Sequence, residues 1–427
     1  MTILVFLFSL CGAMLFGVPV AFALIVCGLA LMLQQGIFDS QIVSQNLILG
    51  ADNFQLLAVP FFLLAGELMN TGGLSRRIIH FAMTFVGHIH GGLGYVTIFA
   101  AIIMASLSGS AAADTAALAA ILIPMMREAG YNVPRAAGLM ASGGIIAPVI
   151  PPSIGFIVFG VAANVSITQL FLAGVVPGLM LGSSLVIAWW FVCRKDKLKT
   201  LPRAPWSERG RAAVDGLFAL MMPVIILGGI KFGIVTPTEA AVVAAVYALL
   251  VGLFVYGELK VSQLYHVFLT AAKTTAVVMF LVAAALVSAW LITQANIPAE
   301  IGNLLEPFKD NPTLLLVIIM VLVMIVGTAL DFTPTVLILT PVLMPIIREV
   351  GINPVYFGVL FIINNAIGLI TPPVGIVLNV VCGVARVSMT DVIRGVMPFL
   401  IAQTIVLFLL VMFPELVLGP LAWLRGR

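Results

Sequence analysis

Two apolar runs, each too short to cross a bilayer, are joined by a patch of tiny and hydroxylated residues, and this pattern constrains the chain most. The runs are Gly91 to Ala105 and Thr115 to Met126, whereas a spanning helix needs roughly 20 apolar residues. The economical reading is one re-entrant helical hairpin over 91–128 with its tip at Ser106–Ala113. Soon afterwards Ala147-Pro-Val-Ile-Pro-Pro152 interrupts another apolar run. Proline removes a backbone donor and clashes with the preceding turn, so the helix that starts near Pro134 should unwind there. At membrane depth, non-helical backbone is tolerated only where protein or a water-filled cavity satisfies its amides and carbonyls. Two interruptions so close together therefore point to a polar site.

The design is duplicated. Pro124, Arg127-Glu128, Gly130, Asn132 and Pro151-Pro152 match Pro345, Arg348-Glu349, Gly351, Asn353 and Pro372-Pro373, and both 345 − 124 and 372 − 151 equal 221. Gly327-Thr-Ala-Leu-Asp-Phe-Thr-Pro334 takes the place of the first tip, within a second hairpin over 312–348. Paired interrupted segments in two halves of a membrane protein point to a transport site.

With 62% hydrophobic and 9% charged residues, the chain is neither a soluble globule nor disordered. The expected fold is all-α and polytopic. Crossings are placed at about 3–33, 53–70, 134–163, 168–192, 213–233, 238–256, 268–293, 354–385 and 389–414. The first holds Gly17-Val-Pro19 and is expected to be tilted, kinked or split; it reads as a retained span, not a signal peptide. Amphipathic arms are expected at Leu74–His90 and Pro298–Lys309. The loop Arg194–Arg211 carries seven of the 20 Lys and Arg, which places it in the cytoplasm by the positive-inside rule. Five crossings separate the two hairpins. Because five is odd, they must open to opposite faces and the repeats are expected to be inverted. The chain divides into an N-terminal scaffold segment (1–50), a first repeat (51–192), a basic loop with scaffold helices (193–267), a second repeat (268–414) and a C-terminal tail (415–427).

Several residues have two readings. Ser106, Ser108, Gly109, Ser110 and Thr328 offer hydroxyl and backbone oxygens to a small hard cation, or permit tight helix packing. Asp114 and Asp331 are functional candidates as intramembrane acids, or caps of the second half-helix of each hairpin. Asn364, Asn365 and Ser142-Gly-Gly144 precede the two breaks as binding groups or helix cross-links. Arg127 and Arg348 read as local ion pairs at helix ends. Thr236-Pro-Thr-Glu239 reads as a capping box. The four cysteines, scattered through apolar runs, imply neither a disulfide nor a metal framework, and no phosphate loop is present.

The motifs SLSGSAAAD at 106–114, APVIPPS at 147–153, GTALDFTP at 327–334 and GLITPPVG at 368–375 together resemble the large membrane subunit of tripartite ATP-independent periplasmic (TRAP) transporters. The resemblance covers essentially the whole chain. It implies an elevator-type, sodium-coupled importer of organic acids such as C4-dicarboxylates, sialic acid or sugar acids, sited in the bacterial inner membrane. Na⁺ would sit around Ser106, Ser108, Gly109 and Ser110 with Gly143, Gly144 and Ala147, and around Gly327, Thr328, Asp331 and Thr333 with Asn365, Gly368 and Thr371. Substrate would lie between the tips, near Ser108, Ser110, Asp114, Pro151, Ser153, Thr333, Asn364 and Asn365. A small four-helix membrane subunit and a periplasmic substrate-binding protein are the implied partners; no organic cofactor, other metal or nucleic acid is implied. The alternatives are a stand-alone carboxylate symporter or exchanger and, disfavoured by the lack of His pairs at depth, Cys ligands or an H-E-x-x-H helix, an intramembrane enzyme or redox subunit.

Overall fold

The computed structural model describes residues 2–196 and 198–426, so Lys197 of the basic loop lies outside the described residues. Every regular element among them is helical. The chain begins with α1 (Thr2–Leu15), α2 (Val20–Gln35) and α3 (Ser40–Ala51). The apolar run over 3–33 is thus two helices folded against each other, not one crossing. Gly17, at φ +78°, turns the chain in a region that costs glycine nothing, and Pro19 precedes the first turn of α2.

The chain continues with α4 (Ala58–Thr71), α5 (Leu74–Val86), α6 (Gly92–Ser108), α7 (Ala111–Glu128), α8 (Val133–Gly144), α9 (Ile154–Ala163) and α10 (Ile167–Cys193). Connecting helices α11 (Trp206–Lys231) and α12 (Pro237–Leu250) follow, the latter opened by the Thr236/Glu239 capping box. A second series of helices follows in a similar order: α13 (Val261–Gln294), α14 (Ile297–Leu304), α15 (Pro312–Gly327), α16 (Phe332–Glu349), α17 (Pro354–Gly368), α18 (Ile376–Ala385) and α19 (Met389–Met412). Helices α7 and α16 are each 18 residues long and start 221 residues apart (332 − 111). The segment read as a C-terminal tail contains α20 (Glu415–Leu424), which packs on α10.

Between the hairpins lie the broken pair α8–α9 and four helices long and apolar enough to cross a membrane, α10 to α13. The open end of the first hairpin meets the basic loop. Trp189 Nε1 donates to Gly91 O at 2.9 Å, Lys199 N donates to Ala129 O at 3.3 Å, and Arg135 at the start of α8 pairs with Asp196 at 2.7 Å.

The halves interlock reciprocally. Helix α7 packs on α18 and α16 packs on α9. Arg127 Nη2, near the end of α7, donates to Ala385 O at 2.7 Å, and Arg348 Nη2, near the end of α16, donates to Ala163 O at 2.6 Å. Each carbonyl belongs to the last residue of a helix, where acceptors lack intrahelical donors and the dipole favours a cation. The arginines therefore do not form the local ion pairs expected from Arg127-Glu128 and Arg348-Glu349; Glu349 instead binds Lys309 at 2.7 Å. Consecutive residues on a helix do not face one another, so an adjacent Glu is poorly placed to be the partner. Replacing Arg127 by Gln should cost about 1 kcal/mol, visible as a lower unfolding temperature in detergent by scanning fluorimetry. An unchanged transition would show that the bond to Ala385 contributes nothing.

Candidate functional site

Each hairpin turns more tightly than the small-residue patch suggests. Ser106 to Ser108 are the last turn of α6 and Ala111 to Ala113 the first turn of α7, so the tip is Gly109 and Ser110 alone. Gly109 is left-handed at φ +63°, and Ser110 Oγ accepts from Ala113 N to cap α7. Small residues do not by themselves unwind a helix, and the Ser106 hydroxyl bonds back to Ile103 O at 2.6 Å. The second tip spans Thr328 to Asp331. Asp331 caps α16, its Oδ1 accepting from Phe332 N at 2.7 Å, while Thr328 Oγ1 donates to Ile325 O at 2.7 Å.

Both helices that carry the prolines are broken. Helix α8 stops at Gly144 and α9 resumes at Ile154; α17 stops at Gly368 and α18 resumes at Ile376. Ser153 organises the first gap, donating to Pro148 O at 2.5 Å and accepting from Phe156 N at 3.2 Å to cap α9. Thr371, in the second gap, donates to Ile367 O at 2.8 Å.

A cavity of about 240 Å³ lies where these parts converge. The first hairpin supplies Gly109 to Ala112 from its tip and the start of α7, and the second supplies Asp331 to Thr333 from its tip and the start of α16; Pro148 and Leu369 come from the breaks, with Leu63 and Thr274 on α4 and α13 forming the wall. The initial residues of α7, α9, α16 and α18 all line it. Four helix N-termini line one space and bring positive dipole ends to it, which favours an anion, although the Asp331 carboxylate shares the lining and Phe332 N and Val377 N are already paired.

Of the residues singled out in the sequence, Gly109, Ser110, Asp331 and Thr333 line this cavity. Gly327, Asn365 and Gly368 meet beside it: a Cβ on Gly327 would lie 3.3 Å from Gly368 Cα and 3.5 Å from Asn365 Oδ1. Asn365 Nδ2 donates to Phe332 O at 2.7 Å, tying the second break to the second tip. Other residues sit elsewhere. Asp114 is buried behind the first tip, accepting from Ser108 Oγ at 2.5 Å. Gly144 abuts Thr115 and Ala111 on α7, Gly143 abuts Ala101, and Ala147, Pro151 and Ser153 are buried within the first break. Asn364 points away from the cavity, its Nδ2 donating to Met320 O on α15 at 2.5 Å.

Six buried oxygen-bearing side chains around these breaks leave an oxygen without a hydrogen-bond partner: Asp114, Thr115, Ser142, Asn364, Asn365 and Gln403. Such atoms normally find partners. Thr115 and Gln403 were not singled out in the sequence. Gln403, whose Nε2 donates to Ser142 O at 2.9 Å, carries one legible signal, an amide within the apolar run of 389–414.

Comparison with known proteins decides the family. The model of the tripartite ATP-independent periplasmic transporter, DctM component, matches residues 7–416. The chain belongs to the DctM family. It is 55% identical over 425 residues, covering 100% of each chain to the nearest per cent, to the 2,3-diketo-L-gulonate TRAP transporter large permease protein YiaN of Escherichia coli. To the sialic acid TRAP transporter large permease protein SiaM of Vibrio cholerae it is 40% identical, covering 96% of each. A crystal structure of the Alcanivorax borkumensis YdaH transporter shares the fold, with a TM-score of 0.64 at 15% identity over 89% of this chain and 88% of that one. This DctM component is accordingly the large permease subunit of a TRAP transporter, a multi-pass inner-membrane transport protein and not an enzyme. Large permeases of the family work in general with a small membrane subunit and a periplasmic binding protein.

Proposed function

We propose that this subunit carries an organic acid anion inward across the membrane, driven by co-transported Na⁺, through an elevator movement of the hairpins and broken helices against a scaffold. The observation that carries the reading is the cavity between the two tips with four helix N-termini on its lining, which suits a carboxylate without any basic side chain. Relatives named for diketogulonate, sialic acid and C4-dicarboxylate support the same class of cargo. Sodium coupling rests on the unpartnered oxygens beside each break and on the expectation that unwound carbonyls and half-helix ends hold such ions.

Inverted insertion of the repeats is supported by two features. Five crossings separate the hairpins, and each hairpin's open end reaches the far end of the other half's broken helix. A separate four-helix membrane subunit would brace the scaffold, and a periplasmic binding protein would deliver the acid. The test is uptake of labelled acids into proteoliposomes containing the chain with both partners, with and without an inward sodium gradient. Uptake should require the gradient, and Ser108→Ala should reduce its sodium dependence; equal uptake without the gradient would remove sodium from the mechanism.

A further inference from the structure

A second and larger cavity, about 690 Å³, lies between the two moving helices α9 and α16 on one side and α3 and α13 on the other. It occupies the end of the molecule away from the basic loop. Asn164 on its wall precedes α10, whose 27 residues lead to Cys193 at that loop, a separation of roughly 40 Å at 1.5 Å per residue. The same three helices, α9, α13 and α16, line both this cleft and the cavity between the tips. Along α16 the step from Thr333 to Pro341 is roughly 12 Å. The two cavities therefore lie along the same three helices, separated by packed residues such as Val336 on α16 and Ala284 on α13.

The chemistry of the cleft is specific. Arg348 is the charged side chain on its lining, and no carboxylate lines it among the described residues. Its Nη2 is engaged with Ala163 O, and the neighbouring Glu349 is occupied by Lys309, so the positive charge is not neutralised by its neighbour. Around it stand Asn46, Asn164, Thr293 and Gln294, with the indole of Trp290. Asn46 Nδ2 and Thr293 Oγ1 donate to their own helix, which leaves their oxygens as acceptors for hydroxyl groups.

We propose that this cleft is an outer capture site for a polyhydroxylated monocarboxylate, the carboxylate meeting Arg348 and the hydroxyls meeting the surrounding amides and Thr293. A single cation with several neutral hydrogen-bonding groups fits one acid group on a sugar-like body better than a dicarboxylate, and the volume lies within the range of small-molecule sites. The inference rests on the anion-carrying role proposed above, and it adds a binding step that precedes entry between the tips.

The experiment labels Thr293→Cys with a maleimide, in the full-length chain with the exposed Cys11 replaced by Ser, in sodium-free buffer. Gluconate is the hydroxylated acid, succinate the dicarboxylate and sorbitol the neutral polyol. Gluconate at ten times its Kd should slow labelling about tenfold by mass action, succinate less, and sorbitol not at all. Arg348→Gln should abolish protection and Arg348→Lys should retain part of it. Protection equal for sorbitol, protection surviving Arg348→Gln, or no protection by any acid would each overturn the proposal. Sodium-driven uptake measured on the same preparation separates the two claims: uptake without protection removes the capture site alone, whereas absence of uptake for every acid removes the transport reading itself.

Discussion

Replacing Gly368 by valine should cut transport sharply while leaving a folded, inserted protein. A Cβ at this position would lie 2.9 Å from Gly327 C and Cα and 3.0 Å from its carbonyl oxygen. These are backbone atoms of the second hairpin that cannot swing aside as a side chain would. The tip must then move off the broken helix, and overpacking of this kind costs about 1–3 kcal/mol. If that strain falls on the closed arrangement of tip and break, uptake drops roughly tenfold to a hundredfold, since 1.4 kcal/mol is a factor of ten. Proteoliposome uptake and circular dichroism of the same sample read the two consequences separately. Uptake within twofold of the parent would mean that the Gly327–Gly368 contact is incidental to the cycle.

Asn365→Ala should raise the sodium concentration needed for half-maximal uptake. Its Nδ2 holds Phe332 O at the second tip, and its Oδ1 is buried, unpartnered and close to Gly327. Removing a group from such a site costs about 1–3 kcal/mol, equivalent to a shift of roughly tenfold to a hundredfold. Asn365→Asp distinguishes ligand from brace: it keeps an oxygen for the cation and loses the N–H. Recovery of sodium affinity in Asn365→Asp supports coordination, and failure of both variants alike reduces the residue to a tether. Asn364→Ala is the comparison: its Nδ2 serves Met320 O on α15 and its Oδ1 is likewise buried and unpartnered, so a shift of the sodium curve there too would extend the ion site to the neighbouring amide.

These adjacent asparagines illustrate what could be read from the chain and what could not. Successive positions on a helix point in different directions, so Asn364 and Asn365 reach different helices although the sequence presents them as a pair. The helix ends at the hairpin turns and the breaks were legible because prolines, glycines and apolar run lengths act locally. The structure has helices at α6–α7, α15–α16, α8–α9 and α17–α18 where those signals put them. The width of the first tip was not legible, since serine and alanine tolerate a helix and Ser106 satisfies its hydroxyl on its own turn. The split of the first apolar run followed from Gly17 and Pro19 only once a turn, and not a kink, was seen to form. The cavity walls at Leu63 and Thr274 depend on which distant helices pack together, and nothing in residue spacing encodes that. The same holds for Arg127 and Arg348, whose acceptors lie 258 and 185 residues away in the chain.

Those two arginines also bear on how such a molecule can arise and be divided. Because each clasps the polypeptide of its twin, neither half is a finished carrier: synthesised alone, it would expose an empty groove where the absent copy's helix belongs. Both halves must therefore be present in one molecule before either groove is filled.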